Sequence, residues 1–270
     1  YDDDKRKSLG RTWASDPKVA AKRRFPDFEP GTILGGLYQV KSVLGRGGMG
    51  VVYEVIHIPL KRRCAVKVLS AELISAANWQ RFQSEARSIA GLSHPCLVNV
   101  YDLGIHNEHM PYYAMDLLQG MDLDTMIRTH GKLNIAFALE IMIQALDGLH
   151  YAHKHGVVHR DIKPANMLVV KDAKGASVVK LLDFGIAKLI GLEGEKNDPN
   201  KARANEEQKV TATGEIFGSP FYMSPEQCLG DPVDGRADIY SIGCTMFECL
   251  TGRVPFDGGS PLDTVMLHLD

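Results

Sequence analysis

Strand-type patterning fills the first part of the chain, and helix-type patterning takes over after Gln119-Gly120. Its 270 residues suffice for one large domain or two lobes, either with a substantial core. Strands are read at Tyr38-Gln39-Val40 onward, at Val51-Val52-Tyr53-Glu54-Val55 and at Cys64-Ala65-Val66-Lys67-Val68, where β-branched residues dominate. A glycine turn joins the first two, and Pro59-Leu60-Lys61-Arg62-Arg63 joins the next. Trp79, Phe82, Ala86 and Ile89 then recur at helical spacing behind a candidate cap, Asn78. Glu85 borders that apolar face. Further strands are expected around 97–103 and 111–117. Beyond Gly120 the clearest helix covers 135–155, with Asn134 as cap, Gly156 as terminator, and Met142, Leu146, Leu149 and Ala152/His153 as core stripe. A hairpin is read from 167–170 and 178–182, and another helix from 235–250, ended by Thr251-Gly252.

Charge excludes little but points nowhere special. A net charge of −2 exerts no general pull toward nucleic acid or membrane, so neither is expected as a partner. Basic residues crowd the start (Lys5, Arg6, Lys7, Arg11, Lys18, Lys22, Arg23, Arg24), and 1–32 reads as a solvated, disordered tail rather than a docking or lipid-contact arm. Tyr1-Asp2-Asp3-Asp4-Lys5 has the look of part of an affinity-tag or protease-site scar and is not expected to contribute to the fold. The five cysteines (Cys64, Cys96, Cys228, Cys244, Cys249) form no Cys-x-x-Cys pair and read as buried or incidental thiols of a reducing compartment. There is no signal-peptide pattern, and no apolar run approaches the ~20 residues needed to span a bilayer. The expected location is cytoplasmic, with an anchor elsewhere in a longer protein left open. Nine charges fall between Glu193 and Lys209, with Pro199 and no large apolar side chain after Leu192, so 191–209 is expected to be mobile.

Gly45-Arg46-Gly47-Gly48-Met49-Gly50-Val51-Val52 fits G-x-G-x-x-G-x-V. Glycines let a backbone fold tightly over phosphates where a Cβ would intrude. A Rossmann turn is the rival reading, but such a loop opens a helix. Here the glycines lead into a second strand. Lys67 lies in an apolar strand, where a snorkelling surface lysine is the alternative to an ion pair with Glu85. Desolvating either charge alone would cost several kcal/mol, so each needs a partner, the other charge or, for the lysine, a bound phosphate.

His159-Arg160-Asp161-Ile162-Lys163-Pro164-Ala165-Asn166 is followed seventeen positions later by Asp183-Phe184-Gly185. Together with the glycine loop and Lys67, this set resembles the eukaryotic-type protein kinases, and the handful of fixed positions makes the match specific. Met49-Gly50-Val51-Val52-Tyr53, Tyr222-Met223-Ser224-Pro225-Glu226-Gln227 and Gly252-Arg253-Val254-Pro255-Phe256 are most similar to the bacterial serine/threonine branch. The resemblance covers about 38–256.

It implies a two-lobed, protein-kinase-like α+β fold: a small β-rich N-lobe with one key helix over 33–118, and a mainly helical C-lobe over 119–270. The C-lobe is expected to be incomplete, since the family's continues with further helices. ATP and Mg²⁺ are the implied cofactors. Leu44, Gly45, Arg46, Gly47, Gly48, Met49, Gly50, Val51, Val52 and Ala65 would line the nucleotide, with Lys67 and Glu85 on its α- and β-phosphates. Met115 falls at the adenine hinge, and Asp116 and Leu118 would bind there. Asp161 would be the base or orienter of the attacking hydroxyl, Lys163 the γ-phosphate neutraliser, and Asn166 and Asp183 the metal ligands. His159 and Phe184 read as packed internal supports, and Asp238 matches the acidic residue that supports the catalytic loop.

The activation segment would be 183–226, which at 44 residues exceeds the family's usual length because of the charged insert 191–209. Its end, 218–226, would face the protein substrate, with Ser219 where threonine is common and Ser224 in place of alanine. Thr211 and Thr213 are candidate autophosphorylation sites, for which Arg160 could supply a partner and two copies of the chain could meet. A pseudokinase scaffold and a small-molecule kinase are the competing functions, the second weakened by the Ser-Pro-Glu stretch.

Overall fold

A computed structural model describes residues 27–47, 50–69, 83–84, 86–184 and 219–270. The chain divides into two units, Tyr1–Ala71 with Gly104–Tyr113, and Glu72–Leu103 with Ala114–Asp270. The first holds most of a six-stranded sheet: β1 (Ile33–Leu34), β2 (Tyr38–Gly47), β3 (Gly50–His57), β4 (Arg62–Leu69), β5 (Val100–His106) and β6 (Met110–Met115), in the order β1-β2-β3-β4-β6-β5. Period-two alternation decides which residues are inside. Val51, Tyr53 and Val55 are fully buried, as are Cys64, Val66 and Val68 across the β3–β4 ladder. The opposite face carries Val52, Ala65 and Lys67, with Lys67 directly across from Val52 and Gly45 across from Val52 on the other side. Gly50 has a steric reason to be glycine, because a Cβ there would lie 2.1 Å from the Val68 carbonyl oxygen.

The second unit is mainly helical. β7 (Gly120–Asp122) pairs with β8 (Met167–Lys171), which pairs with β9 (Ser177–Leu181) in a small antiparallel sheet. The helices are α1 (Leu123–His130), α2 (Ile135–Lys154), α3 (Pro225–Leu229), α4 (Gly235–Thr251) and α5 (Pro261–Leu269). Each begins at a side-chain cap: Asp122, Asn134, Ser224, Asp234 and Ser260 in turn. Asn134 accepts from both Ala136 N and Phe137 N, and Gly156 leaves α2 with φ 74°. The expected cap and terminator of this helix are therefore both present. Ile141, Leu149, Ile162, Met167 and Leu181 are fully buried and form the centre of this unit, each such side chain contributing about 1.5–3 kcal/mol by leaving water.

Two expectations need correction. Leu146 is not in the core stripe of α2. It is 36% exposed and continues a row with Ile135, Leu139 and Ile143, while Ala138, Ile141, Met142, Ala145 and Leu149 form the buried face. The strand read at 97–103 begins later, at Val100, because Leu97 instead makes an isolated parallel bridge to Leu181. The cysteines are free thiols, four buried and Cys228 half-buried. Among the described residues no helix is long and apolar enough to cross a membrane.

Candidate active site

The loop between α2 and β8 is anchored from below by one carboxylate. Asp238 lies in the first turn of α4 and has no exposed surface. Its Oδ2 accepts from His159 N at 2.8 Å and pairs with His153 Nε2 at 2.7 Å, and its Oδ1 accepts from Arg160 N at 2.8 Å. Such bonds are what make a buried carboxylate tolerable. They also hold Arg160 at φ 64°, a left-handed conformation that costs a residue with a Cβ about 1–3 kcal/mol.

His159 is fully buried and ties two stretches together. Asp161 N–H can only donate, so His159 Nδ1 accepts it at 3.3 Å; the Leu182 carbonyl can only accept, so Nε2 carries the proton, at 2.8 Å. That fixes a neutral imidazole, and burial lowers its pKa in keeping with this. The ring also packs on Phe184, centroids 4.6 Å apart. Leu182 N donates to Asn166 O, so both peptide groups of Leu182 are held by the loop, and Asp183 follows at φ 53°.

Three of the expected side chains meet at one oxygen. Asp161 Oδ2 takes Lys163 Nζ and Asn166 Nδ2, each at 2.9 Å, and Asn166 Nδ2 also donates to Asp161 O at 2.8 Å. With its amide hydrogens committed to Asp161, Asn166 keeps its carbonyl oxygen as the group for a cation. That hard oxygen and the Asp183 carboxylate suit Mg²⁺, which takes one or two protein oxygens and completes its shell with water and phosphate. Among the described residues no cluster of three or more His, Cys, Asp or Glu could hold a metal by itself.

A small cleft beside Asp161 is lined by Arg160, Ser219, Tyr222, Met223 and Gln227. Tyr222 anchors this wall: its hydroxyl donates to Glu248 Oε2 at 2.5 Å, and its carbonyl accepts from Ser241 Oγ at 2.6 Å. Burial raises the pKa of Glu248, with Asp124 adding to the effect and the tyrosine bond opposing it. A folded-state pKa above the ordinary 4.5 means the folded chain holds this proton more tightly than the unfolded one. Its contribution to stability is then fully present below that value and is lost as pH rises through the raised pKa. Glu248→Gln should flatten this slope, read as melting temperature against pH between about 4 and 7. Tyr222→Phe should cost about 1 kcal/mol, since it removes a hydrogen bond to a half-buried carboxylate. Equal pH slopes for wild type and Glu248→Gln would contradict the assignment.

In the first unit, Gly45, Gly47, Val52, Ala65 and Lys67 occupy adjoining strands, with Val52, Ala65 and Lys67 on the face away from that unit's core. The Arg46 guanidinium pairs with the Asp27 carboxylate. Asp116 is held on Asn99, its Oδ2 accepting from Nδ2 at 2.7 Å and its N–H donating to the Asn99 carbonyl, while the Met115 carbonyl accepts from Tyr101. Glu85, Gly48, Met49, Thr211, Thr213 and the insert 191–209 lie outside the described residues. Sequence assigned no role in the site to His153, read only as part of the α2 core stripe, to Gln227 or to Glu248; only Gln227 carried a local signal, as the fourth residue of a Ser-x-x-Gln capping box.

Residues 38–269 match the family model described as the protein kinase domain. A probable serine/threonine-protein kinase of Streptomyces coelicolor is 41% identical over 240 residues, covering 87% of this chain and 33% of the relative. The serine/threonine-protein kinase PknB of Mycobacterium tuberculosis is 37% identical over 236 residues, covering 86% and 35%. The chain thus spans about a third of the length of the curated relatives it matches. The crystal structure of the Mycobacterium tuberculosis PknI kinase domain aligns with a TM-score of 0.66 at 30% identity, over 86% of this chain and 80% of that one.

Proposed function

The chain belongs to the protein kinase domain family, and from that premise we propose that it transfers the γ-phosphoryl group of ATP to serine or threonine hydroxyls of proteins. Its fold is the family's α+β fold, a curled-sheet N-lobe and a helical C-lobe. The observation that carries the reading is the Asp161 carboxylate with Lys163 and Asn166 both at 2.9 Å from one oxygen. In the proposed step the substrate hydroxyl oxygen bonds to the γ-phosphorus, the bond from that phosphorus to the bridging oxygen breaks, and ADP leaves. Asp161 orients the hydroxyl and takes its proton. Lys163, beside it, offsets charge on the transferring group. Lys67 with Glu85 would hold the α- and β-phosphates under the 45–52 strand turn, with Asp116 and Leu118 at the adenine. Asn166 and Asp183 would hold Mg²⁺, which when bound would offset negative charge on the phosphates.

Incubation with radiolabelled Mg-ATP and a generic basic protein tests the reading. Label on serine or threonine of that protein supports it. Nucleotide-dependent thermal stabilisation without transfer would instead indicate a scaffold, and label confined to a small molecule would indicate the third class. We further propose autophosphorylation at Thr211 and Thr213 between two copies of the chain. A phosphate there adds about −1.5 to −2 charges within the activation segment. Peptide mapping by mass after ATP incubation should find phosphate on one or both, at a rate rising with protein concentration. Phosphate only at other positions refutes the assignment.

A further inference from the structure

We infer that Gln227 is a positioning residue for the phosphotransfer, setting the peptide plane that carries Asp161. The inference rests on the phosphotransfer reading above and adds a residue to it. The two ends of the Gln227 amide do different jobs. Its Oε1 accepts from Ser224 N at 3.1 Å, while its own N–H donates to Ser224 Oγ at 3.4 Å, closing the capping box that starts α3. A glutamate would serve that purpose equally well. The Nε2 is surplus to capping, and it donates to the Arg160 carbonyl at 3.0 Å, across 67 positions of chain.

That carbonyl belongs to the peptide unit whose N–H is the one Asp161 donates to His159 Nδ1. The 160–161 peptide is thus gripped on both sides, by Gln227 at its oxygen and by His159 at its nitrogen. On its far side Arg160, at φ 64°, is held through its own N–H by Asp238. A left-handed residue next to a free peptide can relax by rotating that peptide, and such a rotation would swing the Asp161 Cα and its carboxylate. Gln227 blocks it. Since Gln227 immediately follows the 219–226 stretch, the base is held in line only while that stretch is seated. The docking of one element thereby becomes a condition for the alignment of the other.

Gln227→Glu separates the two roles, because it keeps the capping oxygen and, when ionised, loses the donor. The expected result near pH 8 is a fall in kcat of about tenfold, with KM for Mg-ATP and the melting temperature close to wild type. The ratio of variant to wild-type kcat should begin to recover as pH falls below about 5, where a growing share of protonated glutamate can donate again. Ser224→Ala is the comparator: it removes the cap and leaves the Nε2 donor, so it should lose less kcat than Gln227→Glu. Wild-type kcat in Gln227→Glu at every pH overturns the inference. So does an equal loss in Ser224→Ala, which would assign the effect to helix capping. If the wild-type chain transfers no phosphate at all, the phosphotransfer reading itself fails, and the two failures are told apart by that control.

Discussion

Asp161→Asn should lower kcat by about 10²–10⁴, the share of a positioned acid–base group, while Mg-ATP still binds. The substitution is close to isosteric. An asparagine oxygen can still accept from Lys163 and Asn166, which now converge on Asp161 Oδ2 at 2.9 Å, so the loop keeps its shape. What disappears is the capacity to take a proton and the negative charge that aligns the hydroxyl. An interaction made chiefly in the transition state is lost from kcat and from kcat/KM alike, and nucleotide affinity is spared. Steady-state kinetics alongside nucleotide titration reads both quantities. Undiminished turnover in this variant would remove Asp161 from the mechanism, and with it the central piece of the proposed function.

Asp238→Ala should be the most destabilising single change in the second unit, by about 3–5 kcal/mol. The carboxylate is fully buried and satisfies two successive backbone N–H groups and His153. Alanine leaves those N–H groups in a dry interior, each costing about 1–3 kcal/mol unsatisfied. Nothing then opposes the relaxation of Arg160 from its left-handed conformation. For a chain of this size the loss corresponds to a fall in melting temperature of roughly 10 °C, measurable by circular dichroism. Asp238→Asn should fall between, because one of its two ends presents a donor where an acceptor is needed. A change under about 1 kcal/mol in the alanine variant would mean that solvent already reaches this group.

Local signals made much of this architecture legible, and contacts distant in sequence account for what was not. The β2–β3–β4 ladder, α2 with Asn134 and Gly156, and the β8–β9 hairpin each announce themselves within a dozen or so residues. β7 is three residues of unremarkable sequence and exists through its pairing with 168–170. Leu146 was misread because α2 carries apolar residues on two neighbouring stripes, and spacing alone does not say which one faces inward. In the site, Asp161, Lys163 and Asn166 sit within six positions, so one turn of chain brings them together. The clamps on that turn come from Gln227 and Asp238, 67 to 79 positions away, and no periodicity links residues so far apart, so Asp238 was legible only through the family resemblance.

The glycines of the β2–β3 turn answer to two separate masters. At Gly50 the neighbouring backbone of Val68 forbids any side chain, so a survey of tolerated substitutions would find that position closed even in a chain never asked to handle a nucleotide. Gly45 and Gly47 meet nothing within 4 Å among the described residues. Selection for folding alone would leave those two open, and intolerance there would report a guest molecule rather than the strand next door.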